Sequence, residues 1–168
     1  ILETIPVPQQ RTLPRRVLPW LTMAAAITLA VFSWMPRQSS ARPFDAAKID
    51  ALPDVMHLSW GDWDSPEVPG VKGEVVWSET TQAGYMKFKG LPENNPASER
   101  YQLWIIDERG MEQRVSGAIF DANGPEVVVP ISPGIRVRNA GAFAVTIERP
   151  DGVWVSDMQR RVSIAVVP

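Results

Sequence analysis

The longest uncharged stretch of the sequence, Val17–Met35, constrains the chain more than any other feature. Its 19 residues contain no Asp, Glu, Lys or Arg. A helix of this length measures about 28 Å, because each residue adds about 1.5 Å, and the hydrocarbon layer of a bilayer is about 30 Å thick. Trp20 and Trp34 lie near its two ends, where indole rings favour the headgroup region. The stretch therefore predicts a single transmembrane helix.

Two other interpretations of this stretch stay open. An apolar helix can also be buried in the core of a large protein, although such helices are seldom apolar all round over this length. A cleaved signal peptide would use Arg15 and Arg16 as its charged start and Ser39-Ser40-Ala41 as its small-residue cleavage site. Met35-Pro36-Arg37 separates the apolar run from that site. An uncleaved anchor is therefore favoured over both.

The flanking arginines predict the orientation of the anchor. Three arginines and one glutamate precede it, whereas Arg37 and Arg42 follow it before acidic residues begin. Because the cytoplasmic flank carries the excess of cations, residues 1–16 are expected to be a cytoplasmic tail. We expect residues 36–53, rich in Pro, Ser and charge, to be a linker, and residues 54–168 to form an extracytoplasmic domain.

Short apolar segments separated by turn residues dominate the sequence after the linker, and almost none has helical period. This pattern predicts an all-β fold, an antiparallel β-sandwich of seven to nine strands. The predicted strands are Val55–Trp60, Glu74–Ser78, Tyr85–Lys89, Tyr101–Asp107, Val115–Phe120, Glu126–Ile131, Ala142–Glu148, Val153–Ser156 and Val162–Val167. The predicted core residues are Trp77, Phe88, Leu103, Ile105, Phe120, Val127, Val129, Phe143 and Val145.

Alternation of apolar and polar residues predicts which side chains face the core in three segments. The inward sets are Met86 and Phe88; Phe143, Val145 and Ile147, opposite Thr146 and Glu148; and Val162, Ile164 and Val166. Leu103–Ile106 is apolar at every position, which predicts a central strand covered on both faces. Arg149–Val153 contains Pro-Asp-Gly and predicts a tight hairpin connection.

One acidic, tryptophan-rich cluster is the candidate ligand surface. Trp60, Asp62, Trp63, Asp64 and Glu67 lie within eight residues. The carboxylates meet the spacing of a calcium site only in part. The two indoles could stack on a sugar ring if both are exposed. An acidic loop closed by packed tryptophans is the favoured interpretation, with the ligand surface (Trp60, Asp62, Trp63, Asp64) kept as the alternative.

Catalytic and metal sites find little support in the sequence. The chain has no Cys and a single histidine, His57, which excludes thiol chemistry, disulfides and multi-histidine metal sites. His57 has neither a Gly-x-Ser-x-Gly elbow nor a His-Glu-x-x-His motif to support it. Residues 37–168 carry 14 Lys+Arg against 18 Asp+Glu, so Lys87 and Lys89 are expected to form a solvated face. We expect no enzymatic activity, no cofactor, no resident metal and no direct contact with nucleic acid.

Several segments resemble the carboxy-terminal domain of bacterial anti-sigma-K factors, over roughly residues 55–165 and in the order of that family. The segments that carry the resemblance are Gly73–Ser78, Gly84–Pro92, Tyr101–Asp107, Gly117–Asp121, Glu126–Ile131 and Ala142–Glu148. Among them, Tyr-Gln-Leu-Trp at Tyr101–Trp104 and Phe-Ala-Val-Thr-Ile-Glu at Phe143–Glu148 are specific.

The resemblance implies a single-pass membrane protein that holds an extracytoplasmic-function sigma factor inactive. Extracytoplasmic and membrane-embedded proteases would then cut the protein in turn and release the sigma factor. Family members carry a sigma-binding domain before the anchor, often with a His-x3-Cys-x2-Cys zinc motif, and residues 1–16 contain neither residue type. We therefore expect residues 1–16 to be the end of a missing amino-terminal domain and the sigma factor to bind a region not present in this chain. The alternative function is a membrane-anchored module that binds an envelope glycan or another small ligand.

Overall fold

The computed structural model describes residues 44–168, in which one short helix precedes nine strands. These elements are α1 (Ala46–Asp50), β1 (Val55–Ser59), β2 (Gly61–Asp62), β3 (Lys72–Ser78), β4 (Ala83–Lys89), β5 (Arg100–Ile106), β6 (Val115–Phe120), β7 (Glu126–Ile131), β8 (Ala142–Glu148) and β9 (Arg161–Val166), with a 3₁₀ turn at Met111–Gln113. The predicted tail, the predicted transmembrane helix and residues 36–43 of the predicted linker lie outside the described residues. Within 44–168, no helix is long and apolar enough to cross a bilayer.

Two antiparallel sheets form the fold. Sheet A has the strand order β1-β3-β4-β7, and sheet B has the order β2-β9-β8-β5-β6. One main core contains side chains of both sheets. The predicted all-β, antiparallel two-sheet architecture is confirmed, as is the predicted strand number.

The nine predicted core residues all belong to the main core. The exposed fraction of each is 8% or less. Aromatic rings form a stacked row through this core: Trp60 lies 5.0 Å from Phe88, Phe88 lies 5.5 Å from Phe120, and Phe120 lies 5.5 Å from Tyr101. The row joins β4 of sheet A to β5 and β6 of sheet B, so these side chains hold the two sheets together.

Strand β5 is central in sheet B and is buried on both faces, as the sequence predicted. It lies between β8 and β6. On its outer face, Trp104 packs with Ala144 and Met158 in a second, smaller apolar cluster. Because this cluster covers the outer face, Thr146 of β8 is fully buried and accepts a hydrogen bond from Trp104 Nε1 at 2.9 Å. The predicted solvent-exposed face of β8 is therefore wrong at Thr146.

A β-bulge overturns part of the prediction for β9. The register between β8 and β9 shifts between Val145 and Thr146, which leaves Val162 as an extra residue on β9. Val162 is buried as expected, but the alternation inverts beyond the bulge. Ala165 is buried in the core, whereas Val166 is 60% exposed. A prediction that assigns alternate residues of β9 to the core fails here, because Val162 has no partner residue on β8.

The predicted strand Val153–Ser156 does not form, and the predicted tight hairpin is wrong. The amide of Gly152 donates to the carbonyl of Arg149 at 2.8 Å, which closes a turn. Residues 149–160 then cross to β9 as a long connection without strand pairing. The side-chain amide of Gln102 binds both the N–H and the carbonyl of Val153, so a side chain takes the place of a neighbouring strand.

Candidate functional site

Trp60, the first residue of the candidate ligand surface, is part of the core. Its side chain is 5% exposed, and its ring stacks on Phe88 with an interplanar angle of 15°. Its Nε1 donates to the carbonyl of Lys87 at 3.1 Å. A sugar platform requires an exposed ring face, and Trp60 does not meet that condition.

Asp62 is the last residue of β2 in sheet B, and Trp63 and Asp64 follow it in the next loop. Asp62 Oδ1 accepts the amide of Gly70 at 2.8 Å, which closes the loop after β2. Trp63 is half-buried against the outer cluster, and the Arg161 guanidinium lies 5.3 Å from the centre of its ring. The Asp64 carboxylate is 87% exposed and lies 3.5 Å from Arg161 Nη1. These contacts are those of an acidic loop fastened to its neighbours.

The carboxylates of this loop do not converge. Asp62 binds a backbone amide, Asp64 faces Arg161 and Glu67 binds Arg160. No group of three His, Asp or Glu side chains that could hold a metal ion occurs among the residues that the structure describes.

Arg160 holds two loops against β9. Its guanidinium binds Glu67 with two nitrogens, at 2.9 and 2.5 Å, and Glu99 with the third, at 2.7 Å. The hydrogen bonds that Arg160 donates lower the pKa of Glu67, and those that it donates to both carboxylates raise its own pKa. The sequence shows no pattern that pairs Arg160 with residues 93 and 61 positions earlier, so this cluster was missed.

Residues 44–54, which we call the entry segment, lead into the sandwich and pack on sheet A. The ring of Phe44 meets that of Tyr85 edge to face, with centroids 5.5 Å apart. The Tyr85 hydroxyl donates to Asp50 Oδ1 at 2.6 Å. Asp54 accepts from the Ser78 hydroxyl and from the Thr80 amide, both at 2.8 Å. Residues 44–53 were expected to belong to the linker, and here they touch the domain at defined points.

The comparisons with known proteins place this arrangement in a family. Residues 20–155 match the family model described as "Anti-sigma-K factor rskA, C-terminal". The chain belongs to the anti-sigma-K factor family. No curated protein and no solved structure matches it. The family is regulatory and membrane-associated, and it implies a sigma factor as partner.

The matched range begins inside the predicted transmembrane stretch and ends before β9. Strand β9 is nevertheless integral to the fold, because it pairs with β8 and β2 of sheet B. His57 is exposed, as expected, and its Nδ1 lies 3.1 Å from Oε2 of Glu74. The hydrogen bond with His57 is the main cause of the lowered pKa of Glu74.

The sequence pattern also gave no sign of the most exposed aromatic side chain of the described domain. Trp154 is 94% exposed, and the neighbouring Val155 is 75% exposed. The sequence assigned both to a strand, in which one of the two would face the core. They lie instead in the connection between β8 and β9, where both point to solvent.

Proposed function

We propose that this chain is the anchored, extracytoplasmic regulatory part of an anti-sigma factor, and that regulated proteolysis of it releases the sigma factor. Family membership supports the regulatory role. The uncharged stretch Val17–Met35 and the arginines that precede it support an anchor with the sandwich outside the cytoplasm.

The docking of the entry segment on sheet A carries the proposal. Five residues form its helix, α1, and none of them is buried. The segment is therefore held by a few contacts, those of Phe44, Asp50 and Asp54, rather than by a core of its own. Segments with few buried contacts open at a low cost in free energy, while the rest of the domain stays folded.

Opening of the entry segment gives a mechanism for control. A protease needs its substrate as an extended, accessible chain, which exposed segments supply far more readily than sheet strands. While the entry segment is docked, the stretch near residues 36–53 offers less free chain to a first, extracytoplasmic protease. A signal that loosens the docked segment would expose this stretch, and a membrane-embedded protease would complete the release.

Labelling of single cysteines in intact cells tests the location. The chain has no Cys, so one introduced thiol reports on one position. We expect a membrane-impermeant maleimide to label Asn123→Cys in intact cells, because Asn123 is exposed on the sandwich. The matched variant Thr12→Cys, in the predicted tail, should react only after permeabilisation. The reverse labelling pattern would contradict the proposed topology.

The regulatory role needs its own experiment. In cells that produce the natural protein, the sigma factor should co-purify with the intact anti-sigma factor and should be lost from it once both the extracytoplasmic and the membrane-embedded protease have cut. A sigma factor that stays bound equally well after both cleavages would contradict release by proteolysis.

A further inference from the structure

We propose that one end of the sandwich docks on the headgroup layer of an anionic lipid bilayer through Trp154, Val155 and Ile135, supported by Arg136 and Arg138. We call these five residues the Trp154 surface. The inference rests on the proposed membrane anchorage, and it goes further because it assigns the domain itself a lipid contact.

The apolar residues of this surface are exposed and adjacent. Trp154, Val155 and Ile135 are 94%, 75% and 56% exposed. Ile135 and Trp154 line the same shallow cavity of about 380 Å³, together with Val153. Single exposed apolar side chains are common in soluble domains, but an adjacent group that includes an open indole marks an interaction surface.

Side chains of Gln102 and Arg114 hold the connection that carries Trp154 in place. Gln102, which is 1% exposed, donates to the carbonyl of Val153 at 3.0 Å and accepts the Val153 amide at 2.9 Å. Arg114 donates to the carbonyl of Ser156, and Met158 is buried in the outer cluster. Trp154 and Val155 therefore project from a fixed loop, which reduces the entropy lost when they bind.

Charge on the neighbouring loop favours an anionic surface. Residues 132–141 contain Arg136 and Arg138 and no acidic residue. Both arginines are exposed, and none of the ion pairs among residues 44–168 includes either of them. Residues 149–160 are balanced, with two arginines and two aspartates. The 132–141 loop thus supplies two cations beside Trp154, although Glu79 and Glu108 also accept hydrogen bonds from Asn139 of this loop. Each arginine near an anionic bilayer favours binding.

The strand pairing places this loop at the end of the sandwich where the chain enters. Strand β1 begins at Val55, which pairs with Ser78 at the end of β3. Strand β7 ends at Ile131, which pairs with Gly84 near the start of β4. Because β4 follows β3 by a short turn, residues 132–141 leave sheet A at the same end at which β1 enters it.

The predicted anchor would keep this end near the bilayer. Eight residues, 36–43, lie between the predicted helix and Phe44, and eight residues span at most about 29 Å when fully extended. Tryptophan and arginine side chains favour the headgroup region. A lipid surface therefore fits the apolar tip, the cations and the tether better than a protein partner does.

Site-specific fluorescence in vesicles tests this inference. The full chain, reconstituted in phosphatidylethanolamine–phosphatidylglycerol vesicles, carries an environment-sensitive label at Val155→Cys or, as matched control, at Asn123→Cys in the β6–β7 turn at the opposite end. Flotation of the vesicles first establishes that the chain is anchored. We expect headgroup-level nitroxide lipids to quench the label at position 155, with a blue shift of its emission, and to leave the label at position 123 unquenched.

Charge variants test the role of the arginines. In the same vesicles, Arg136→Gln and Arg138→Gln should each lower the ratio of docked to undocked domain by about fivefold. A chain that floats while the label at 155 stays unquenched overturns the lipid contact alone and points to a protein partner; equal quenching at 155 and 123 overturns it too. A chain that does not float contradicts the anchorage of the proposed function, and this inference falls with it.

Discussion

The hydroxyl of Tyr85 donates a hydrogen bond of 2.6 Å to Oδ1 of Asp50, and this bond joins sheet A to the helix that precedes the sandwich. Burial is the main cause of the raised pKa of Tyr85, and the bond to Asp50 raises it further. The phenol therefore keeps its proton and remains a donor at neutral pH. The bond is one of the few contacts that fix the entry segment to sheet A, together with those of Phe44 and Asp54.

Replacement of Tyr85 by Phe should loosen the entry segment without unfolding the sandwich. The change removes one hydroxyl and keeps the ring that meets Phe44. A single hydrogen bond contributes about 1 kcal/mol, so the open form should become about fivefold more populated. Hydrogen exchange at residues 46–52 and the rate of limited proteolysis in the entry segment measure this change.

Tyr101→Phe is the matched control for that experiment. The Tyr101 hydroxyl donates to the carbonyl of Pro92 at 2.9 Å, at a position far from the entry segment along the chain. Its loss should lower the free energy of unfolding of the domain by about 1 kcal/mol but leave exchange at 46–52 unchanged relative to the rest. Equal loosening of the entry segment in both variants would argue against a local role for Tyr85.

Trp60 and Trp63 should respond differently to truncation. Trp60→Ala should lower the free energy of unfolding by about 3–5 kcal/mol, because it empties a place in the aromatic row of the core. Trp63→Ala should lower the free energy of unfolding by less, since the ring of Trp63 is only half-buried. Urea unfolding of both variants checks the order. A Trp60→Ala variant as stable as the wild type, with altered binding of cell-wall fragments, would favour the ligand-binding alternative.

Asp107 is expected to make the free energy of unfolding of the domain fall at low pH. Its side chain is fully buried, and the hydrogen bonds from Arg109 lower its pKa to about 2 from an ordinary value of 3.8. Because the unfolded chain binds the proton at higher pH than the folded chain does, the contribution is complete above about pH 4 and is lost as the pH falls through about 2.

The variant Asp107→Asn isolates this contribution. At pH 7 the variant should be less stable than the wild type by about 2 kcal/mol, and the difference should shrink towards pH 2. Urea unfolding at both pH values gives the two differences. Asp151→Asn removes an exposed carboxylate and is the control. It should leave the free energy of unfolding unchanged at both pH values. A difference that stays constant down to pH 2 would show that Asp107 stabilises the fold by some other means than its charge.

Gln102 should control the order of the loop that carries Trp154. Gln102→Met keeps the volume but removes both hydrogen bonds to Val153 and the one to the Ser116 hydroxyl at 2.9 Å. Backbone amides of residues 152–156 should then exchange faster, because no neighbouring strand binds this segment once the Gln102 side chain no longer does. Unchanged exchange in this loop would contradict the role assigned to Gln102.

The sequence predicted the strands correctly where the burial of apolar side chains alone decided the structure. Eight of the nine predicted strands formed, because apolar segments between turn residues have few other ways to bury their side chains. The central strand at Leu103–Ile106 was predicted correctly for the same reason. Prediction failed where a local irregularity decided the outcome: the extra residue Val162 inverted the alternation of β9.

The surface features were harder to predict, because they depend on contacts between distant positions. Val153–Ser156 has the composition of a strand, but the amide of Gln102, 51 positions earlier, binds Val153 in place of a partner strand. Likewise Trp60 and Trp63 look alike in the sequence. Trp60 belongs to the core because its ring stacks on Phe88, whereas Trp63 lies at the surface. The alternation of apolar and polar residues does not predict that contact.

The position of the first cut during activation tests the central claim most directly. The amino terminus of the earliest cleavage product of the natural protein, determined by mass spectrometry from cells with the membrane-embedded protease inactivated, is expected to lie within residues 36–53. A first cut within the core strands between Tyr101 and Ile131 would contradict the account, because the sandwich would then have to unfold before the sigma factor is released.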